Sequence, residues 1–484
     1  MLDLPRLQAS FRSVWGGRLL QAVTALGIAL ASLVAGLALA VIGERFGAAL
    51  ILVLPLGALL AALIFSRPAL GIAAIFASFP AGFVHLPTDA LGLQAVEITV
   101  LLVLGVVVLR RVASRLSPLP WAPQMSFAVL LVAWALVATP SALDHEVAVK
   151  QSAQLAGGVL LALAVPAALR GTGDVRRALA VLLVVGGGVV AFGLRSVSSI
   201  QTEFGGAVGV NRATGVFTQP NDYGAFAAML LMLAVGWTLA ATTSGGRLGG
   251  ASVGGVAMFG LAFSLSRGAW IGTLFGVVAL LVLLPQARRA LLLFGVPAAV
   301  LGTLLIVTLT PPEQPQIEAV RRRLESLARP NSNPYDARPA IYREAIRQIR
   351  TDPATGVGPG NFPFASARAG SLARTVGAAH AHNLLLTSAA ELGIPGALLV
   401  VALMIALALL ARRLARNLGA MSDRALMAGV AAALFVHAGQ GIVDFTLRNP
   451  VLSVLTWALV GFLLVGRREA QGQAQGETER VTGG

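Results

Sequence analysis

The chain has 484 residues, of which 56% are hydrophobic and 12% charged, with a mean hydropathy of +0.81, values that exclude an ordinary soluble domain. Cysteine is absent, which excludes disulfides and thiol chemistry. The formal charge of +15 is spread over loops between apolar runs rather than gathered in one tract, so no nucleic-acid partner is expected.

Apolar windows of the ~20 residues needed to cross a hydrocarbon core recur from end to end. The chain therefore reads as an all-α polytopic membrane protein with about 12–14 transmembrane helices. Candidate spans fall near 19–42, 46–65, 69–86, 96–109, 124–139, 151–169, 178–194, 223–241, 251–265, 269–285, 290–309, 384–410, 425–443 and 450–466. Arg6, Arg12 and Arg18 precede the first. That run is longer than the ~7–15-residue core of a cleaved signal, and it reads as a retained span. Residues 1–18 thus form a cytoplasmic N-terminus, 19–309 the first eleven helices, 310–383 a large polar loop and 384–466 the last three helices. The Gln-, Gly- and Glu-rich tail at 467–484 lacks an apolar pattern and is expected to be disordered.

With both termini cytoplasmic, the short inner segments hold 20 of the 36 basic residues and the short outer ones six. The other ten lie in the long loop, and long translocated segments largely escape the positive-inside rule. The loop is therefore expected on the periplasmic face of the cytoplasmic (inner) membrane. No internal repeat stands out, which counts against an inverted-repeat transporter.

Within the loop, 317–328 and 339–351 read as amphipathic helices. In the second, Ile341, Ala345, Ile346 and Ile349 are expected on one face, with Arg343, Arg347 and Arg350 stepping along another toward headgroups or substrate. Asp352-Pro353 ends this helix, and the glycine-rich run from Gly356 to Phe362 is a turn able to bring backbone close to a ligand.

The candidate chemistry sits at span junctions on the outer side. Arg212 and Arg267 stand where arginine is disfavoured, so each needs a partner. Guanidinium suits phosphate because its planar fork donates two hydrogen bonds and stays charged. His382 is the candidate base, and His380, Asn383 and Asn221 are candidate substrate contacts, though Asn221 and Asp222 are also placed to cap the following span. His85, His145 and His437 read as structural. Asp444 and Arg448, four apart, suggest a local ion pair, and Glu391 a partner for an outer arginine. There is no Asp-x-Asp pair and there are only five histidines, so no metal or other cofactor is expected.

Four motifs in order then carry a family likeness: Arg212-Ala-Thr-Gly-Val-Phe-Thr-Gln-Pro-Asn221, Ser266-Arg267-Gly268, the Asp352-Pro353 to Gly358-Pro359-Gly360 turn, and His382-Asn383-Leu384-Leu385-Leu386 with Glu391-Leu392-Gly393. Together they resemble the O-antigen ligase and polysaccharide polymerase superfamily. The resemblance implies a GT-C-like membrane glycosyltransferase that moves a glycan from undecaprenyl diphosphate to an acceptor hydroxyl outside the cytoplasm. It implies Arg212 and Arg267 as diphosphate contacts, His382 as the loop histidine, and a reaction without metal or nucleotide sugar; inverting transfer, with the acceptor hydroxyl attacking as the lipid diphosphate leaves, is the expected course. A ligase would use a lipid A-core or other cell-surface acceptor, whereas a polymerase would extend lipid-linked repeats. A transporter of an anionic lipid-linked glycan is the competing class, since it too could use membrane-buried arginines.

Overall fold

The computed structural model describes residues 49–82, 93–115, 121–198, 212–290, 337–370 and 378–482, and among these the chain is helical, without a β-strand. The expected first span, the span at 290–309, the helix at 317–328 and His85 lie outside the described residues, apart from the first residue of the 290–309 span. In chain order the helices are α1 (Ala49–Ser66), α2 (Ala69–Ala77), α3 (Ala95–Ala113), α4 (Met125–Ala138), α5 (His145–Ala168), α6 (Thr172–Leu194), α7 (Pro220–Ala240), α8 (Ser244–Ser264) and α9 (Arg267–Leu283). They continue with α10 (Arg338–Thr351), α11 (Phe362–Arg368), α12 (Leu384–Asn417), α13 (Met421–Gln440) and α14 (Pro450–Thr482).

The chain divides into two compact units. One takes in Met1–Gly71 and Gly105–Pro118, and its principal described element is the uncharged apolar helix α1. The other, Ile72–Leu104 with Leu119–Gly484, carries everything discussed below. Helices α5, α6, α7, α12 and α14 are long and apolar enough to cross a membrane, which makes this a multi-pass membrane protein.

Helix α7 lies at the centre of the larger unit, apolar on every side as a fully enclosed helix must be. It meets α13 at a pair of glycines: a Cβ built on Gly236 would lie 2.5 Å from the Cα of Gly429. Helix α9 approaches the same α13 just as closely, since a Cβ on Gly272 would lie 2.4 Å from the Val436 carbonyl oxygen. Small residues thus let backbones touch where no hydrophobic effect drives helices together.

Helix α14 continues through Thr482, which corrects the expectation of a disordered tail from 467. Ala, Gln, Glu and Arg extend a helix already nucleated by its buried span, and Gln473 Oε1 accepts from the Gly419 N–H at 3.0 Å.

Of the long loop, α10 forms as expected and buries Ile341 and Ala345 against Phe362, Ala381 and Ala390. Ile346, however, points outward and is 41% exposed, because five residues of helix rotate it off the Ile341 face. The glycine-rich turn approaches helix α12 rather than an open cleft. Gly393 (φ 70°) breaks α12, and the backbone groups around the break are taken up from outside. Val357 N–H donates to the Ala390 carbonyl at 2.9 Å and Ile394 N–H to Pro353 at 2.8 Å, while Trp134 Nε1 donates to Leu392 at 2.7 Å. Gly356 (φ 66°) permits this stitch, since a Cβ there would lie 2.5 Å from the Ala390 oxygen.

If the glycine contact holds the centre together, Gly236→Leu should lower the melting temperature of the detergent-solubilised protein, by an overpacking cost of about 1–3 kcal/mol or more. Gly245→Ala, whose new Cβ would meet nothing within 4 Å, should leave it unchanged.

Candidate active site

The site is built where three helix ends and one short loop converge. The turn before α12 places His382 at φ 48°, a left-handed conformation uncommon outside glycine and asparagine. Its neighbours fix it there. His380 Nδ1 accepts the His382 N–H at 3.2 Å, Thr387 Oγ1 accepts the Ala381 N–H at 3.2 Å, and Tyr342 on α10 donates to the His382 carbonyl at 3.4 Å. Asn383 caps α12 by accepting the Leu386 N–H at 2.9 Å and donates to the Ile442 carbonyl at 2.7 Å. The histidine turn is thereby tied to the loop between α13 and α14.

That loop supplies Asp444, 5% exposed. Its Oδ1 lies 2.9 Å from His382 Nδ1 and accepts the Phe445 N–H at 2.8 Å. Its Oδ2 accepts from Asn221 Nδ2 at 2.7 Å. Asn221 Oδ1 in turn accepts from Arg212 at 2.9 Å, and Arg212 Nε donates to the Ser264 carbonyl at 2.9 Å. Ser264 ends α8, Leu265 turns the chain at φ 51°, and Ser266 caps α9, whose first residue is Arg267. Arg212 therefore reaches the α8–α9 corner at which Arg267 opens α9, and it is wired through Asn221 and Asp444 to His382.

The electrostatics follow. Burial pushes the Asp444 carboxyl up, but the His382 hydrogen bond, the positive charge carried by the two histidines when protonated and the Phe445 N–H outweigh it and hold it below the usual carboxylate range. Burial and the charges of His382 and Arg448 push His380 down, against the opposing pull of Asp444. An ionised Asp444 accepts from His382, so the proton sits on Nδ1 and the Nε2 lone pair is left for another group. His380, whose ring centroid is 4.4 Å from that of His382 and 5.5 Å from that of Phe445, holds the turn.

Several expectations change. Asn221 and Asp222 do not cap α7: Gln219 is the N-cap and Pro220 opens the helix, as proline at the first position favours. Their side chains reach Asp444 and Asn449 instead. Asp444 and Arg448 form no local pair, because 444–449 is not helical and the spacing rule does not apply. Arg448 binds Glu391, and the other Glu391 oxygen accepts the Gly360 N–H at 2.9 Å. Glu391 thus finds an arginine as expected. On α10, Arg347 is held by Glu344 at 2.6 Å and Arg343 donates to its own helix at Pro339; Tyr342 is the α10 residue that reaches His382. Burial raises the Glu344 carboxyl, but Arg347, Gln348 and Ser366 bring it below its ordinary value. His145 opens α5 and His437 is buried in α13.

One juxtaposition was not visible in the sequence: His380, His382 and Asp444 each offer a ligand atom within 4.8 Å of the others. Both Asp444 oxygens and His382 Nδ1 are already hydrogen-bonded to one another or to Asn221 and Phe445, an arrangement that a bound cation would have to break. Asp444 is also the functional candidate that sequence reading passed over. Its signal was a lone acid in a short outer loop, read there as a local ion pair.

Comparison with curated proteins finds no match. Among solved structures, a chain described under "Structural coordination of polymerization and crosslinking by a peptidoglycan synthase complex" is similar at 20% identity, over 72% of this chain and 99% of that one, with a TM-score of 0.41. The family model described as O-antigen ligase matches residues 251–401, a stretch that contains Arg267, the glycine-rich turn, His380 and His382. Over that stretch, under a third of the chain, the protein is similar to the O-antigen ligase family.

Proposed function

We propose that this protein is a membrane glycosyltransferase that moves an undecaprenyl-diphosphate-linked glycan to an acceptor hydroxyl on the periplasmic face. The observation that carries this reading is the hydrogen-bonded chain from Arg212 through Asn221 and Asp444 to His382, which joins a phosphate-suited cation to a candidate base. The acceptor O–H gives its proton to His382 Nε2 as its oxygen bonds to the anomeric carbon. On the opposite face the bond to the lipid diphosphate breaks, inverting that carbon, and the diphosphate leaves with the electron pair toward Arg212 and Arg267. Guanidinium groups fixed in advance act most strongly where charge grows. Asp444 keeps the imidazole in the tautomer that can accept the proton and stabilises the imidazolium that forms. A position at the helix ends supports an enzyme over a carrier, whose polar groups would gather at mid-membrane. Ligase and polymerase differ here only in the acceptor.

Asp444→Asn should cut kcat by about 10²–10⁴-fold with little change in donor KM, measured with undecaprenyl-diphosphate-linked glycan in reconstituted membranes; near-normal turnover would remove Asp444 from the mechanism. Arg212→Lys should also lose most of its activity despite normal membrane insertion, since an ammonium cannot hold Asn221, the Ser264 carbonyl and a phosphate in one plane. Turnover should survive excess EDTA, and its loss, restored by one divalent cation, would assign His380, His382 and Asp444 to a metal. Because the folded-state value of Asp444 is depressed, its stabilising contribution is complete above the carboxyl's unfolded pKa of ~3.9 and fades as pH falls through the folded value. The wild-type melting temperature should accordingly drop further than that of Asp444→Asn on acidification from about pH 6 to about pH 3.

A further inference from the structure

The histidine turn and the loop after α13 bring together three side chains with the chemistry of transition-metal ligands. His380 and His382 offer imidazole nitrogens and Asp444 a carboxylate oxygen, and one such atom from each lies within 4.8 Å of the other two. His382 Nδ1 and Asp444 Oδ1 are already 2.9 Å apart. Around a tetrahedral zinc ion with bonds of about 2.0–2.1 Å, neighbouring ligand atoms stand roughly 3.3 Å from one another. The His382–Asp444 pair therefore has to open by only a few tenths of an ångström, and the His380 ring has to close a gap of at most roughly 1.5 Å.

The carboxylate loses little by such a change. Oδ2 keeps Asn221 and Oδ1 keeps the Phe445 N–H, so Asp444 gives a metal only the lone pair it now gives His382. Two hydrogen bonds are exchanged for metal bonds: that from His382 to Asp444, and that from the His382 N–H to His380 Nδ1, which is lost whichever nitrogen of His380 ligates. Both imidazoles are partly exposed while Asp444 is buried, so an ion reaches the cluster from the histidine side. Two imidazoles with one carboxylate suit zinc, copper or nickel, and they supply too few oxygens for magnesium or calcium. Arg448, which donates to the Ala379 carbonyl beside His380, and Arg212 behind Asn221 oppose a cation by their charge, which keeps its binding reversible.

We propose that His380, His382 and Asp444 form an inhibitory site for zinc or a similar transition-metal ion, which shuts off glycosyl transfer instead of driving it. The binding rests on this cluster alone, and the inhibition rests on the transfer reading above. A metal on His382 Nδ1 leaves the one proton of the neutral imidazole on Nε2, the nitrogen that has to take the proton of the acceptor hydroxyl. The same ion draws off the carboxylate that stabilises the imidazolium. The base is thus disabled in two ways by one ligand.

Binding and inhibition are measured separately. Full-length protein in phosphatidylcholine nanodiscs, stripped of metal and freed of chelator, is titrated with Co²⁺ and followed by visible absorption, which is intense for a tetrahedral site. Transfer from undecaprenyl-diphosphate-linked glycan is then assayed in rising Zn²⁺, with Mg²⁺ and Ca²⁺ as further arms. Wild type should take up one Co²⁺ with a tetrahedral spectrum, and Zn²⁺ should displace it and stop transfer over the same concentrations. Mg²⁺ or Ca²⁺ at about a hundredfold excess should do neither. His380→Gln and Asp444→Asn should each lose the cobalt spectrum. His380→Gln should also raise the Zn²⁺ that halves its own uninhibited rate at least about tenfold. His145→Gln, on α5 and outside the cluster, should change neither property. No tetrahedral spectrum in wild type, or a spectrum retained in both cluster variants, would overturn the proposal. So would inhibition that excess donor relieves or that is undiminished in His380→Gln, since the ion would then sit on the donor's diphosphate. Transfer without any metal uptake would sink the inhibitory site and leave the transferase reading intact, whereas cobalt held by the cluster in a protein that transfers no glycan would do the reverse.

Discussion

Both oxygens of Asp444 are spoken for: one faces His382, the other Asn221 and through it Arg212. This carboxylate lies at 5% exposure at the meeting point of helices that are hundreds of residues apart in the chain. A buried carboxylate is costly unless its acceptor capacity is filled, and here His382 and Asn221 of the candidate site fill it together with the Phe445 N–H. The interaction that makes the burial tolerable is the same one that orients the imidazole. Removing any partner therefore disturbs both.

Around this centre the structure is organised to hold one turn still. His382 adopts a left-handed conformation, which persists only where surroundings dictate it. The His380 ring, the Asn383 cap and Tyr342 do so from three directions. Further out, the break at Gly393 would leave α12 with open backbone groups, and the Pro353–Val357 segment of the turn and Trp134 take them up. Glu391, just before the break, then joins Gly360 to Arg448. A kinked span, a glycine-rich turn and the last loop become one framework beneath the histidines.

The glycines divide between two uses. Gly236, Gly429 and Gly272 are small so that helices can touch, whereas Gly356 and Gly393 carry the positive φ of the stitch. The first kind sets how closely α7, α9 and α13 pack, which brings the start of α7 and the loop after α13 within one hydrogen bond. The second kind positions the loop on that bundle. Neither contributes a reacting group, yet both determine where Arg212 and Asp444 fall.

The sequence by itself determined a great deal. Hydropathy dictates membrane helices wherever ~20 apolar residues run together. The amphipathic period of α10, the Asn383 start of α12 and the candidacy of Arg212 and Arg267 are local properties that can be read directly. Local rules failed where partners are remote. An i,i+4 spacing suggested Asp444 with Arg448, but a non-helical loop turned them toward His382 and Glu391. Asn221 read as a cap because capping is a local habit, and it became a bridge because Arg212 and Asp444 were folded to either side of it. The last residues read as disordered for want of an apolar pattern, although helix once nucleated needs none to continue. Only the tertiary structure decided which of the polar residues meet, because a hydrogen bond across some 220 positions of chain depends on helix packing, which no window of the sequence contains.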